Sequence, residues 1–324
     1  MAEWLVEEGI GEHRAIRLDG DRIAEARLDW PGELAVGQVE DAVLVARAAG
    51  SRRGTARFAS GEEALVDRLP PSAGEGAPIR LEVTRPALGE RGRRKLARAR
   101  PTDALPCPAP TLAERLRAEG HAVRVVRQFA TGDGAELIAE AFAGEVAFPG
   151  GSLQFSPTPA MLLIDVDGTL EPRALALAAA APVADALRRF DAGGAIGIDF
   201  PTLADKADRR AVDEALAAAL AGWPHERTAM NGFGFVQLVA RLERPSLLHR
   251  AAFQRAGMAA RKLLRQAELL EGPGAVLLSG HPALESQLKP EWLAELARRT
   301  GREVRLQVQP GLAIEAPQAQ LVPR

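Results

Sequence analysis

Residues 161–170, MLLIDVDGTL, and residues 195–200, AIGIDF, are the two stretches that decide the fold class of this chain. Each is an apolar run of strand length with an aspartate near its end, Asp165 in the first and Asp199 in the second. An Ala-rich helical pattern at residues 174–190 separates them. Apolar strands that alternate with amphipathic helices predict an α/β sheet. Ligands bind at the carboxyl ends of strands in such sheets, so both aspartates are candidate site residues.

A divalent metal is the ligand that these carboxylates predict. Two carboxylates at neighbouring strand ends repel each other unless a cation lies between them. Magnesium is held by one or two carboxylates together with water and substrate phosphate. A single aspartate at a strand end often caps the next helix instead. Asp167, close beside Asp165, favours the functional interpretation, because carboxylates with perturbed properties cluster at sites.

Short strands separated by turns fill the N-terminal part of the chain. Residues 4–28 alternate between apolar and polar, and the DGD turn at residues 19–21 indicates a hairpin. Residues 36–87 continue as short strands, which predicts a small β-barrel or a sandwich. Residues 91–100, RGRRKLARAR, carry six basic residues and are either a phosphate-binding segment or a solvated helix face or linker. Four prolines mark residues 101–110 as a linker.

Composition narrows the class of protein further. A chain of 324 residues has room for two or three domains, and its net charge of −2 gives no global signal for nucleic-acid binding. The single cysteine, Cys107, excludes an internal disulfide and a cysteine-based zinc knuckle within one chain. The acidic N-terminus lacks the apolar core of a signal peptide, and no apolar run is a membrane span. We therefore expect a cytoplasmic protein that does not bind a membrane.

The motif at residues 161–170 is compatible with two families. On its own it resembles the signature of haloacid-dehalogenase-like phosphatases, an apolar strand followed by Asp-x-Asp-Gly-Thr. That resemblance implies that Asp165 accepts the phosphoryl group and that Asp167 is the acid/base. Those phosphatases need a later acidic pair on a strand end, however, and this chain has no aspartate after Asp213.

The second resemblance covers much more of the chain. Residues 138–250 resemble the catalytic core of the ribonuclease E/G family in the order and spacing of five blocks. These blocks are IAEAFAGEVAFPGGSLQF, LLIDVD, VADALRRFDAGGAIGIDF, KADRRAVDEALAAAL and NGFGFVQLVARLERPSL. The resemblance implies a magnesium-dependent endoribonuclease that cuts single-stranded RNA and leaves a 5′-phosphate. It also implies that Asp165 and Asp199 hold the metal and that Asp167 replaces an orienting asparagine, so that these three are the expected catalytic residues.

The resemblance also implies a domain organisation. Its fold is an α/β core of deoxyribonuclease-I-like or RNase-H-like type, with an N-terminal OB-type barrel and a C-terminal small α/β domain. The expected parts are an N-terminal hairpin (1–35), an OB-type RNA-binding barrel with a basic tail (36–100), a linker and connecting segment (101–137), the catalytic domain (138–250) and the small domain (251–324). The residues expected to bind RNA are Arg57, Phe58, Arg85, Arg91, Arg93, Arg94 and Lys95 in the barrel and tail, and Arg209, Arg210, Arg241 and Arg244 in the catalytic domain.

The sequence departs from the family pattern at several supporting positions. Ala174, Ala176 and Ala240 stand where the family has polar residues, and Gln237 replaces a frequent glutamate. Loss of such partners typically lowers metal affinity or activity by ~10–100-fold. A non-catalytic RNA-binding relative of the same fold is therefore the alternative function. The family's two-cysteine zinc link and its insert that senses the RNA 5′ end are also missing, so we expect no structural zinc, and the oligomeric state stays open.

The missing zinc link gives a first prediction. Because the segment after residue 246 contains no cysteine, chelators should leave the molar mass in solution unchanged. Light scattering with and without EDTA measures this. A dimer that dissociates on chelation would assign a metal-binding role to His249 or Cys107.

Overall fold

The N-terminal strands form a sheet with one strand from a distant segment. The computed structural model describes residues 3–129 and 133–323. The strands β1 (Trp4–Gly9), β2 (Glu12–Asp19) and β3 (Arg22–Asp29) form an antiparallel meander. The predicted turn at residues 19–21 joins β2 to β3, with Gly20 at φ 59°. A strand from the linker region, Val123–Val126, pairs parallel to β1, so this sheet has four strands.

The next strands close into a barrel. Its five strands are β4 (Val39–Arg47), β5 (Gly54–Arg57), β6 (Glu63–Val66), β7 (Pro78–Arg85) and, after an intervening hairpin, the strand Ala97–Pro101. They follow the order Ala97–Pro101, β6, β5, β4, β7, and Ala97–Pro101 runs parallel to β6. Leu44, Val66, Leu81 and Phe58 fill the interior. The protein thus contains a closed barrel and not a sandwich, and this barrel is compatible with an OB-like architecture.

The basic segment at residues 91–100 is neither a helix nor a linker. Its first half contains β9 (Arg93–Lys95), which forms a hairpin with the preceding strand β8 (Leu88–Glu90), and its second half belongs to the barrel strand β10 (Ala97–Pro101). Gly89 lies so close to Phe253 that a Cβ at this position would stand 3.0 Å from that residue's Cβ. The hairpin is therefore packed against the C-terminal half of the chain.

Two short elements and a helix lead into the large sheet. They are α1 (Leu112–Ala118), β11 (Val123–Val126) and α2 (Asp133–Ala143). Thr111 begins α1 with a capping box, in which its side chain accepts from the Glu114 amide and the Glu114 carboxylate accepts from the Thr111 amide. This capping box satisfies two backbone amides at the start of the helix.

The large sheet has six strands and is covered on one face. Its strands are β12 (Glu145–Phe148), β13 (Gly151–Pro157), β14 (Leu162–Gly168), β15 (Gly194–Asp199), β16 (His225–Arg227) and β17 (Phe235–Ala240). They follow the order β12, β13, β14, β15, β17, β16. β14 and β15 pair in parallel, and the other neighbouring strands pair antiparallel. The helices α3 (Pro172–Arg189) and α4 (Lys206–Ala219) pack against each other, and α3 also contacts β13 and β14.

Strand alternation decides which side chains face these helices. Ile164, Ile198 and Val236 share one register row and are fully buried. Successive side chains of a strand point to opposite faces, so Asp165, Asp199 and Phe235 lie on the other face. That outward face carries the candidate carboxylates.

The C-terminal part of the chain is a small α/β unit. The helices α5 (Leu247–Phe253) and α6 (Arg255–Glu268) precede β18 (Ala275–Gly280), a short 3-10 helix (Pro282–Gln287), α7 (Pro290–Thr300), β19 (Val304–Val308) and β20 (Gln318–Val322). β18 and β19 are parallel, with α7 as their crossover helix. Among the described residues, no helix has both the length and the apolar character needed to cross a membrane.

Trp30 joins the N-terminal sheet to the C-terminal helices. Its indole is 6% exposed, and two guanidinium groups lie over it, those of Arg250 at 3.8 Å and Arg261 at 3.6 Å from the ring centroid. Burial lowers the pKa of Arg261 to about 10. Trp30 Nε1 donates to Glu12 at 3.4 Å. This cluster draws on residues from β2, α5 and α6, so it ties together segments that are distant in sequence.

We expect Trp30→Ala to lower the free energy of unfolding by about 3–5 kcal/mol, because it opens a large cavity and removes both arginine contacts. Urea unfolding followed by circular dichroism measures the change. The control is Trp223→Ala, which removes a half-buried indole that stacks on His225. Equal losses in the two variants would contradict the joining role of Trp30.

Candidate functional site

Asp165 and Asp199 lie directly beside each other on the outward face of the sheet. β14 and β15 pair in parallel, and Asp165 is the register partner of Asp199. Neighbouring strands lie about 4.8 Å apart, so the two carboxylates leave the sheet at adjacent positions. Both residues are exposed. The structure therefore brings together the two aspartates that the sequence singles out.

The described part of the chain places no cationic side chain within ion-pair distance of either carboxylate, and neither carboxylate takes part in a hydrogen bond there. Like charges directly opposite each other on neighbouring strands are destabilising. A cation between Asp165 and Asp199 would remove that repulsion.

Asp167 lies on the same outward face, two residues further along β14. Its Oδ1 accepts a hydrogen bond of 2.8 Å from the backbone amide of Gly168. Its register partner on β13 is Ser152. This local bond fixes the orientation of the Asp167 side chain and leaves Asp165 and Asp199 as the uncommitted carboxylates.

These carboxylates could form an open metal site that water completes, but not a site made entirely of protein ligands. Within residues 3–129 and 133–323, no three or more His, Cys, Asp or Glu side chains gather into a group able to hold a metal. Magnesium commonly takes one or two carboxylates and completes its shell with water and substrate phosphate. Asp165 and Asp199 are two adjacent, solvent-facing carboxylates and could serve as these protein ligands.

Several expected RNA-binding residues of the barrel and its tail are held by carboxylates. The pairs are Arg57 with Glu63 at 2.8 Å, Arg93 with Glu90 at 2.5 Å, Arg94 with Glu62 at 2.9 Å and Lys95 with Glu90 at 3.9 Å. Arg91 is exposed, and no hydrogen bond or ion pair reaches its side chain within the described segments. Of this group, Arg91 is therefore the cation most available to a phosphate.

Phe58 and Arg85 differ from the expectation for RNA contacts. Phe58 is 3% exposed and belongs to the barrel interior, so it cannot stack on a base without opening the barrel. Arg85 is half-buried and donates to the carbonyl oxygen of Leu96, and burial lowers the pKa of its guanidinium. The expectation put both residues on an RNA-facing surface because the pattern alone does not tell which way each side chain points.

Arg244 is a structural residue. It is 8% exposed, and its guanidinium lies 2.9 Å from Asp191 and 3.6 Å from Asp29. Its expected role as a phosphate contact is wrong, because a buried and paired guanidinium does not reach solvent.

The other three arginines expected to bind RNA, all within residues 138–250, are spread apart. Arg241 is exposed but follows Ala240, which pairs with Gly194 at the start of β15. It therefore lies about 17 Å along the strand from the Asp199 end. Arg209 donates to the carbonyl oxygens of Leu203 and Ala204, and Arg210 pairs with Glu214 on the surface of α4.

Two residues beside the aspartates are absent from the sequence-based set. Gln154 on β13 is the register partner of Asp165, and Phe235 on β17 is the register partner of Asp199. The four side chains thus form one row across four strands on the outward face. Strand alternation in SLQF and FVQL could have placed both outside the core, but the partner strands could not be known from the sequence.

No protein-family model matches this chain, and no curated protein matches it.

The uncompensated carboxylate pair leads to a prediction about metal and stability. Magnesium should raise the Tm of the protein, since a ligand that binds only the folded state stabilises it by about 2.7 kcal/mol at a hundredfold excess over Kd. Asp165→Asn and Asp199→Asn should each remove this response. Thermal unfolding with magnesium or with EDTA measures it.

The matched control is Asp19→Asn, which changes an exposed aspartate in the β2–β3 turn and should keep the full response. In EDTA the two site variants should be at least as stable as the wild type, because each removes one of two neighbouring like charges. A magnesium shift that persists in Asp199→Asn would place the ion elsewhere.

Proposed function

We propose that this chain is a magnesium-dependent endoribonuclease that cleaves single-stranded RNA, a shortened relative of the ribonuclease E/G family. The observation that carries the proposal is the register pairing of Asp165 with Asp199 on an exposed sheet face, where no described residue forms an ion pair with either carboxylate. The proposal assigns the barrel to the OB type and the six-stranded sheet to a deoxyribonuclease-I-like or RNase-H-like catalytic domain. It also places the enzyme in the cytoplasm, in RNA processing or decay.

The parallel strand pair explains how the residues would act. Asp165 and Asp199 would hold the magnesium ion through their carboxylates, and Asp167 is oriented by its bond to the Gly168 amide. When bound, such an ion activates water and neutralises charge on the phosphate. The open outward face gives an RNA strand access to both carboxylates. Hydrolysis would break the bond between phosphorus and the 3′-oxygen, leaving a 5′-phosphate and a 3′-hydroxyl.

The barrel is the second feature that supports RNA binding. Small five-stranded Greek-key barrels bind single strands by combining charge with base stacking. Here the buried Phe58 removes one stacking residue, and ion pairs occupy most of the basic tail. Arg91 remains as an exposed cation for phosphate.

A second candidate is a non-catalytic RNA-binding protein with the same fold. The supporting polar positions of the family are alanines here, and Ala176 is fully buried in the α3 packing. Ala174 is exposed and Ala240 pairs with Gly194, so none of the three supplies a polar group to the carboxylates. This candidate keeps RNA affinity and lacks cleavage.

Cleavage of a 5′-labelled single-stranded RNA in magnesium or in EDTA separates the two candidates. We expect cleavage with magnesium only, and its loss to background in Asp165→Asn and in Asp199→Asn, because each removes one ligand charge. Asp167→Asn should retain most of the rate, since an amide oxygen still accepts from the Gly168 amide. RNA that is bound but uncut at every magnesium concentration would favour the non-catalytic protein. Cleavage unchanged in either aspartate variant would rule out this site.

A further inference from the structure

The turn that precedes β17 is rigid and is tied to the segment after Asp199. Asn231 Oδ1 accepts from the backbone amides of Phe233 at 2.9 Å and Phe235 at 3.1 Å. The Thr202 hydroxyl donates to the carbonyl oxygen of Phe233 at 3.2 Å, and the Phe200 amide donates to that of Gly234 at 3.2 Å. Gly234 has φ +89° and would clash with the Phe200 carbonyl if it carried a Cβ. The turn is therefore held close to the Asp199 end of β15.

This rigid turn presents an aromatic ring to solvent. Phe233 is 80% exposed, and every other Phe or Trp of the described residues is buried or half-buried. An exposed ring on a disordered loop would be unremarkable. Here the backbone on both sides of the ring is fixed by hydrogen bonds, so a ligand that covers the ring meets a preorganised surface.

A second ring lies on the sheet itself. Phe235 is the register partner of Asp199 on the outward face. A Cβ on Gly197 would collide with its ring carbon Cζ, and would lie 3.1 Å from the Leu163 side chain. The Phe235 ring therefore lies across β15 in the space that Gly197 leaves open, next to the carboxylate pair.

We propose that Phe233 and Phe235 form an aromatic platform on which one base of a single-stranded RNA stacks beside the metal site. The inference rests on the proposed function and adds to it a residue pair that positions the substrate. The outward face is acidic at this end, since it carries Asp165, Asp167 and Asp199, so phosphate charge alone does not attract a strand there. Aromatic stacking supplies affinity that does not depend on charge and that tolerates any base.

Binding in EDTA tests the platform without cleavage. Fluorescence anisotropy of a labelled ten-nucleotide RNA gives Kd for the full-length wild type and its variants. Phe233→Ala should raise Kd by between about fivefold and about 150-fold, the range for loss of one stacked base. Phe233→Trp should restore the affinity. Leu105→Ala, which truncates an equally exposed apolar side chain in the proline-rich segment, is the matched control and should leave Kd unchanged.

A scan of the RNA shows whether the ring contacts a base. Each nucleotide is replaced in turn by an abasic one, and Kd is measured with the wild type and with Phe233→Ala. At one position, the abasic replacement should weaken binding to the wild type and have no effect on binding to Phe233→Ala. Loss of the base and loss of the ring remove the same stacking contact. The platform is overturned if no position behaves in this way, or if light scattering shows that Phe233→Ala dissociates a dimer of this chain.

The outcomes keep this inference apart from the proposed function. One outcome is that the wild type cleaves RNA with magnesium while Phe233→Ala binds and cuts RNA equally well. That result overturns the platform and leaves the nuclease proposal intact. A coupled abasic position without any cleavage supports the platform and overturns the nuclease. Absence of RNA binding by the wild type in EDTA overturns the platform, and absence of both binding and cleavage in magnesium overturns the nuclease as well.

Discussion

The parallel pairing of β14 with β15 is the constraint on which the candidate site depends. A parallel pair needs a long crossover, and α3 supplies it between the two strands. An antiparallel hairpin would have put the carboxyl ends of the two strands at opposite edges of the sheet. The register is fixed because a slip of one residue would move Ile164 or Ile198 to solvent and an aspartate into the core. The burial of two isoleucines thus places two carboxylates side by side.

Backbone packing at the carboxyl end of β14 adds a second requirement. A Cβ at Gly151 would clash with the Asp167 carbonyl oxygen, and one at Gly168 would clash with that of Gly150. Because neither glycine has a side chain, β13 pairs with β14 as far as the last residue of β14, where Gly151 pairs with Gly168. Gly150 and Gly151, between β12 and β13, therefore allow the close approach to the end of β14 that carries Asp167. A side chain at Gly151 would separate the two strands.

The sequence predicts this sheet edge well and the charged surface poorly, for physical reasons. Strand and helix periodicity is local, so the amino-acid pattern alone places the aspartates at the ends of LLIDVD and AIGID. The partners of charged residues are not local. Arg244 is buried and pairs with Asp191 and Asp29, which lie far from it in sequence, and Arg94 on the β8–β9 hairpin pairs with Glu62. The local sequence pattern also does not show that residues 123–126 join the first sheet, or that Phe58 points into a closed barrel.

The ion pairs of the barrel change how RNA recognition is expected to work. An arginine that leaves a carboxylate to contact a phosphate leaves an unpaired carboxylate behind, so the exchange gains little. The cations without any such partner in the described chain include Arg52, Arg68, Arg91 and Arg98, and the net charge of the protein is −2. A few free cations contribute a modest salt-dependent affinity, since each neutralised phosphate adds a log–log slope of only about −0.7 on a single strand. On the proposed function, the remaining affinity has to arise at the sheet face itself, from phosphate held by the metal and from a base held by an aromatic ring. These two contacts would place one phosphodiester next to Asp165 and Asp199, whereas a uniformly basic surface would bind the strand in many registers.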